Sequence, residues 1–360
     1  MPNSALIATI NTGALARNAA TLRRASGGQR IWAVVKAQAY GHGVELCTRA
    51  LQAHVDGFAV ARTEEGLHLR SVGVDAPILV LGGPFSADEV AEYAEHGLQM
   101  VVHDDAQLTW LREAPVSHEV RIWVKIDSGM SRLGFPPERA VSVWKFLHGL
   151  PYVVDYPGLM THLANADNPA DPYSDTQVRR FQDAVASLSA PKSIANSAGL
   201  LAWPQSRADW ARPGLALYGI SPFADGDARD LGLEPVMTLC TQLIASKWVH
   251  AGMPVGYGGR WQCPEDMPVG VAAIGYADGY PRDMPSGAPV LVDGVRASVI
   301  GPVSMDLLAI DLRTVPNART GAKVTLWGGG LPVEEVARAA GRIPYELVAG
   351  LGTRIVREPS

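Results

Sequence analysis

The chain has 360 residues, 47% of them apolar and 19% charged, with 31 Lys and Arg against 36 Asp and Glu for a formal net charge of -5. This length exceeds most single cores, so a large barrel plus a smaller domain is the natural expectation, and the lack of any clustered basic run argues for a small-molecule partner over nucleic acid or anionic membrane. No stretch reaches the ~18 uninterrupted apolar residues of a membrane span, Cys47, Cys240 and Cys263 are too scattered for a disulfide framework or zinc site, and Met1 to Ala14 carries no signal-peptide pattern, which makes the cytoplasm the default compartment.

In chain order, a short strand is expected over Ala5 to Ile10, then a capped helix from Thr12 through Ala14 to Arg24. Ile31 to Val35 reads as a strand buried on both faces. It stops at Lys36, whose ammonium cannot stay unpaired in such a core and belongs at a strand mouth. Tyr40, Gly41, His42 and Gly43 follow as a turn whose glycines let the backbone approach a ligand while a phenol and an imidazole point inward. Apolar runs recur at Gly57 to Val60, Ile78 to Leu81, Leu98 to Val102, Arg121 to Ile126, Gly158 to Thr161, Ser193 to Ala195 and, more weakly, Ala208 to Ala211. Helical patterns separate most of them, at Thr63 to Ser71, Ser86 to His96, Pro137 to Leu147 and Thr176 to Leu188, with capping-box spacing at Ser86 and Glu89.

Strands alternating with helices at this rhythm predict a parallel sheet, and eight repeats are the number at which such a sheet closes into a (β/α)8 TIM barrel. An open doubly wound sheet competes, but no G-x-G-x-x-G follows the first strand. After Gly232 the texture changes to strand-like runs at Val236 to Val249, Val269 to Ile274, Pro289 to Val292, Val295 to Ile300, Leu307 to Leu312 and Lys323 to Trp327, with Val333 to Ala340 as the one clear helix. The expected fold class is therefore α/β. A (β/α)8 barrel spans residues 1–233, its first strand free to join either unit, and a mostly-β C-terminal domain spans 234–360.

In a closed barrel the chemistry gathers at strand C-termini, which singles out Lys36, Arg62, His103, Asp127, His162, Asn196 with Ser197, and Arg212. A lysine at a strand end is most often a solvated terminus. Beside Tyr40 and in a cleft with other cations, Lys36 becomes a candidate for imine chemistry, because such surroundings depress an amine toward its reactive neutral form. In VKIDSGMSRLGF, Val124 to Phe135, a Ser-Gly turn between Gly129 and Gly134 presents Arg132, suited to grip a carboxylate or phenolate through two parallel bonds. In THLANAD, Thr161 to Asp167, His162 with Asp167 is a weak metal signal; a hydrogen-bonded core histidine is the better reading, and no metal is expected. NSAG, Asn196 to Gly199, and ARPG, Ala211 to Gly214, fall in the loops after strands seven and eight, where barrels bind phosphate, although an N-cap serine and a proline turn are each common. Gly328 to Gly330 reads as a tight turn rather than a phosphate cradle. The tyrosines of VGYGGRW, IGYADGYPR and the SMD segment matter only if they reach the barrel mouth.

Taken together, AVVKAQAYGHG, SGMSRLGF, THLANAD, NSAG, ARPG, VGYG, GYADGYPR and SMD, in that order and nearly end to end, resemble the alanine racemases, pyridoxal-phosphate enzymes of the barrel-plus-β-domain type. The resemblance implies that Lys36 carries pyridoxal 5'-phosphate covalently and is one of two catalytic bases, the other being Tyr257, reaching from the partner of a head-to-tail homodimer. It implies Tyr40, Ser197 and the backbone at Gly214 and Leu215 around the phosphate, Arg212 at the pyridine nitrogen, and Arg132 at the phenolic oxygen and substrate carboxylate. Met305 of a partner would offer its N–H to that carboxylate, Tyr276 would line the entrance, His162 would support Tyr257 through Arg212, and Lys125 matches a position often carbamylated, bracing Arg132. The implied activity is interconversion of L- and D-alanine. Racemisation requires acid and base groups on opposite faces of Cα, and an arginine at the ring nitrogen weakens the electron sink and disfavours side reactions.

The chain departs from this pattern at Gln38, where many relatives have Asn, at Pro302, where many have Arg, and at Thr353, the position expected for a phosphate-contacting tyrosine. Rival readings are a racemase of serine or of a broader amino-acid range, a barrel-type decarboxylase, and a non-catalytic pyridoxal-phosphate carrier. Decarboxylases of that fold pair the ring nitrogen with an acid where Arg212 stands, and carriers generally lack a second β domain.

Overall fold

The computed structural model describes residues 6–116 and 118–360; Ala5, expected to open the first strand, lies outside them. That strand, β1 (Ile7–Ile10), does not enter the barrel. The barrel is closed by eight parallel strands: β2 (Arg30–Val34), β3 (Gly57–Val60), β4 (Ile78–Val80), β5 (Leu98–Val102), β6 (Ile122–Lys125), β7 (Gly158–Met160), β8 (Lys192–Ser193) and β9 (Trp210–Ala211), with β9 returning to β2. The near-continuous apolar character of most of them, β8 (Lys-Ser) apart, follows from burial on both faces, inside against one another and outside against the helices. β8 and β9 are two residues each, and the Ser193 hydroxyl adds a bond to the Trp210 carbonyl (2.9 Å) across their single ladder pairing.

Three indoles fill the barrel floor. Trp32 stacks on Trp210 with centroids 4.2 Å apart, and Trp123 meets both edge-on at 6.4 Å. Rings of this size fit only because the neighbouring strands begin with glycine: a methyl at Gly57 would lie 2.3 Å from the Trp32 ring, and one at Gly158 would lie 2.5 Å from Trp123. The indoles thereby plug the barrel between a shallow depression at the strand N-termini, lined by Arg30, Trp123 and Trp210, and the C-terminal mouth.

The remaining strands, β10 (Met237–Val249), β11 (Pro254–Val255), β12 (Trp261–Gln262), β13 (Met267–Ala272), β14 (Pro289–Val292), β15 (Val295–Ile300), β16 (Leu308–Asp311), β17 (Lys323–Trp327) and β18 (Val356–Pro359), build the C-terminal unit. Its main sheet runs β13-β16-β15-β14-β17-β10-β1-β18, and the long β10 bends at a bulge between Leu243 and Ala245 so that its second half pairs with β13. β1 lies between β10, antiparallel, and β18, parallel, so the N-terminus stitches the two units together.

The first helix, Thr12–Ala25, is capped by Asn11, whose Oδ1 accepts from the Ala14 N–H (2.8 Å); Thr12 is its first residue, not its cap. Helices at Val44–Leu51, Asp105–Glu113, Ser197–Ala202 and Pro344–Ala349 add to those expected, the last correcting the expectation of one helix in the C-terminal unit. The spacing at Ser86 and Glu89 makes half a capping box: Ser86 Oγ accepts from the Glu89 N–H, but the Glu89 carboxylate accepts from the Phe85 N–H (3.2 Å) instead of returning to Ser86. Among the described residues no helix is long and apolar enough to cross a membrane, and no group of three His, Cys, Asp or Glu residues could hold a metal ion.

Candidate active site

A cavity of about 510 Å³ opens at the barrel mouth, lined by Lys36, Tyr40, Lys125, Arg132, His162, Asn196, Ser197, Arg212, Gly214, Leu215 and, from the C-terminal unit, Ile343 and Tyr345. Each barrel residue is delivered by a strand tip or by the turn just after it. Lys36 follows β2 and Lys125 ends β6; His162 follows β7, Ser197 opens the helix after β8, and Arg212 follows β9. Arg62, His103 and Asp127, also at strand ends, do not line it. His103 Nε2 sits 2.9 Å from the Gly82 carbonyl oxygen, and Asp127 is consumed in building a turn.

Lys36 leads into an unusual backbone. Ala37, Gln38, Ala39 and Tyr40 all adopt positive φ, between 50° and 55°, and form one turn of left-handed helix that ends at Gly41 with φ 79°. Residues with a Cβ resist this conformation by about 1–2 kcal/mol each, so long-range contacts hold it. The Ala37 N–H donates to Glu65 Oε1 (2.6 Å). Gly41 is obligatory, because a methyl there would lie 1.9 Å from the Val348 carbonyl oxygen of helix Pro344–Ala349. Arg357 of β18 donates from Nε to the Gly41 carbonyl (2.6 Å). The C-terminal unit thus presses on the turn that follows Lys36. The turn sends Tyr40 into the cavity, whereas His42 points away into the interior behind it, stacked on Tyr218 at 4.5 Å.

Arg132 is carried by a turn that Asp127 organises: one carboxylate oxygen accepts from the N–H groups of Gly129, Met130 and Ser131 at 2.9, 2.9 and 3.1 Å. Gly134, with φ 125°, packs onto the Asp127 backbone so tightly that a methyl would sit 2.7 Å from its nitrogen. Arg212 is buried and braced by three acceptors, Ser193 Oγ, the Thr161 carbonyl (2.5 Å) and the Ile194 carbonyl (3.3 Å). At the other end of the cavity Ser197 Oγ accepts from the Gly214 N–H (2.8 Å), and Gly214 lies so close beneath the Tyr40 phenol that a methyl would be 2.4 Å from its oxygen.

Four cationic side chains, Lys36, Lys125, Arg132 and Arg212, line the cavity, and among the described residues no carboxylate does. Burial first, then Arg132, lowers the Lys36 amine. Burial, then Arg212 and Arg132, lowers Lys125 to about 8, and burial alone lowers Arg212 to about 10. His162, buried and then opposed by Arg212, Lys125, Arg132 and Lys36, is driven well below its ordinary range and is neutral. Asp167 lines a different groove, with Asn165, Asn168 and Phe223. An enclosure of this kind suits a dianionic phosphate together with a carboxylate.

The C-terminal tyrosine is a correction. Thr353 lies exposed in a turn outside the cavity, and the tyrosine that reaches the site is Tyr345, its ring 5.8 Å from that of Tyr40 and its phenol pushed up to about 12, chiefly by burial. The signal was present in the chain as the first residue of the YELVAGLGTR tail, eight positions earlier. Sequence reasoning also missed Glu65, which no motif marks.

Tyr257, Tyr276 and Met305 are not brought into the cavity of their own chain; they are 75%, 38% and 53% exposed on the C-terminal unit. They share one face: the N–H groups of Tyr276 and Ala277 donate to the Ser304 and Met305 carbonyls (3.1 and 2.9 Å), and Gly256, before Tyr257, packs on Pro302.

The family profile described as Alanine racemase, N-terminal domain, matches residues 10–222, and Alanine racemase, C-terminal domain, matches residues 236–359. The alanine racemase of Halorhodospira halophila is 46% identical over 352 residues, covering 98% of this chain and 97% of that protein, and that of Shewanella sediminis is 45% identical over 348 residues, 97% of each. Among solved structures, the biosynthetic alanine racemase of Pseudomonas aeruginosa superposes with a TM-score of 0.95 at 42% identity, covering 99% of both chains. The alanine racemase of Bartonella henselae with covalently bound pyridoxal phosphate superposes with a TM-score of 0.88 at 29% identity, again over 99% of both.

Proposed function

The chain belongs to the alanine racemase family, an isomerase family that depends on pyridoxal phosphate, and from that premise we propose that it interconverts L- and D-alanine with Lys36 and Tyr257 as its two proton-transfer groups. The observation that carries the reading is the cavity of four cations and no lining carboxylate around Lys36, closed at one end by Tyr40, Ser197 and Gly214. When bound, pyridoxal phosphate supplies an electron sink that acidifies the Cα proton of an attached amino acid.

This reading assigns the phosphate to Tyr40, Ser197, Tyr345 and the backbone at Gly214 and Leu215, where a methyl on Gly214 would close the space. Arg212 would face the ring nitrogen; even lowered to about 10 it stays protonated at neutral pH and so cannot take up a further proton. Arg132 grips the substrate carboxylate. Lys36, its amine lowered by burial and by Arg132, takes or returns the Cα proton on one face. Tyr257 serves the other face from a second copy of the chain, with Met305 and Tyr276 beside it, and His162 supports it through Arg212. The exposure of all three on one face of the C-terminal unit supports a head-to-tail homodimer. In these terms residues 1–233, less β1, form the cofactor barrel, and 234–360 form the unit that completes a neighbouring site. The three unpaired cysteines support a cytoplasmic setting.

The test is solvent-deuterium incorporation at Cα of L- and D-alanine by the parent and by Tyr257→Phe, with other amino acids as controls. The reading expects the variant to lose exchange far more from one enantiomer than from the other, and borohydride reduction followed by peptide mapping to find the pyridoxyl group on Lys36. Equal, small losses from both enantiomers, or the label on another lysine, would overturn it.

A further inference from the structure

We propose that Glu65 and His42 are positioning residues that clamp the left-handed turn Ala37–Tyr40 at its two ends, and so set where Lys36 and Tyr40 meet the cofactor. The proposal rests on the reading that Lys36 carries that cofactor. Four consecutive residues with side chains in left-handed conformation run against local preference at every position, since none is glycine and Ala37 and Ala39 lack polar groups to support it. Backbone bonds from the Gly41 N–H to the Ala37 carbonyl and from the Gly43 N–H to the Gln38 carbonyl (2.9 Å each) close the turn, and side chains outside it hold its two ends.

Glu65 holds the first residue. Its Oε1 accepts from the Ala37 N–H at 2.6 Å, while Oε2 accepts from the N–H groups of Ala61 and Arg62 at 2.7 and 3.1 Å. One carboxylate therefore ties the backbone next to Lys36 to the tip of β3, through bonds strengthened by its charge. His42 holds the last residue. Its Nδ1 lies 2.9 Å from the Tyr40 carbonyl oxygen and 3.1 Å from that of Ala39, two acceptors, so Nδ1 carries the proton. The imidazole stacks on Tyr218, whose hydroxyl donates to the Val34 carbonyl (2.9 Å) of β2. The end of the turn is thus referred back to the strand that delivers Lys36.

His42 is fully buried, and its Nε2 meets no protein partner. It borders a gap of about 10 Å³ between the two units, shared with Tyr218, Trp327 and Glu334. The ring is buried neutral, its pKa lowered to about 4 by desolvation and by Arg357 against the Tyr40 and Ala39 carbonyls, which suits a fixed single-tautomer donor and not a proton carrier. Neither residue lines the cavity; both bear on the turn through these bonds, and the Glu65 charge in addition raises the Lys36 amine against the effects of burial and Arg132.

The test uses pyridoxal-phosphate-loaded enzyme: the parent, Glu65→Ala, Glu65→Gln, His42→Phe and His42→Asn. Two readouts are kcat and KM per borohydride-titrated site, and the near-visible circular dichroism of the bound cofactor, which reports its orientation. The clamp predicts that Glu65→Ala and His42→Phe lose on the order of 10- to 100-fold in kcat per loaded site, with KM little changed and the dichroic band altered. Glu65→Gln, which keeps one acceptor oxygen, falls between. His42→Asn, whose amide can donate to the Tyr40 carbonyl, regains most of the loss. If either of the harsher variants fails to fold, the Gln and Asn variants carry the same comparison. A kcat per loaded site within about two-fold of the parent, with an unchanged dichroic band, overturns the clamp. A label on another lysine in the parent overturns the underlying reading, and the two failures are told apart by that control.

Discussion

Tyr345, on a short helix of the C-terminal unit, stands against Tyr40 at the barrel mouth with ring centroids 5.8 Å apart, and Tyr40 in turn lies 5.0 Å from Tyr218. Two residues more than three hundred positions apart in sequence thus form one wall of the cavity. The contact exists because Gly41 admits the Val348 backbone where a side chain would collide.

Tyr345→Phe keeps the ring and removes one hydroxyl from the end of the cavity assigned to the phosphate. Loss of one hydrogen bond to a charged group is worth about 1.5–3 kcal/mol, so pyridoxal phosphate should dissociate at least ten-fold more readily. Equilibrium dialysis of reduced-lysine-free holoenzyme measures this, and unchanged retention would remove Tyr345 from the phosphate site.

Gln38 sits exposed at φ 55°, a region that Asn tolerates better than Gln. Gln38→Asn should stabilise the protein by a few tenths to about 1 kcal/mol with kcat unaltered. Urea unfolding of the two proteins side by side reads the difference; a loss of stability would mean that the left-handed turn is not the dominant demand at this position.

His42 makes stability depend on acid. Its pKa is about 4 in the folded chain against an ordinary 6.5, so between those values the unfolded state binds more protons and folding is progressively penalised as pH falls. The cost is absent above about 6.5 and reaches about 3 kcal/mol near pH 4. The groups around the ring are Tyr40, Tyr218, Glu334 and Arg357. His162, also lowered, adds to the trend. Unfolding free energies measured across this window should fall for the parent and fall less steeply for His42→Phe; parallel slopes would show that the imidazole is not buried neutral.

Lys125, lowered to about 8, is half deprotonated near that pH and can add carbon dioxide there, releasing a proton. The resulting carbamate would replace a cation beside Arg132 and Arg212 with an anion. With carbon-13 bicarbonate, a carbamate resonance should strengthen as pH is raised toward and past about 8 and be missing in Lys125→Met. Its absence from the parent at alkaline pH would leave Arg132 to Asp127's turn alone.

Much of the site was legible because barrel strands are short apolar runs that end where polarity begins. Lys36, His162, Ser197 and Arg212 stand at such ends, and the glycines about Arg132 mark the turn that presents it. The C-terminal strands Pro289–Val292, Val295–Ile300 and Lys323–Trp327 fall where their alternation and turns put them. Glu65 was not legible, since a glutamate in the first turn of a helix has an ordinary role there. Tyr345 was passed over because its approach to Tyr40 depends on how one unit docks on the other.

By itself, the sequence determined the alternation of strand and helix, the mouth at which the polar residues gather and the change of texture near Leu233, because periodicity and burial are local consequences of side-chain chemistry. Only the tertiary structure decided that Ala37 to Tyr40 wind left-handed. Local preference runs against that conformation at every one of those residues, and it holds where Glu65, Val348 and Arg357, remote in the chain, meet the turn together with its neighbour His42.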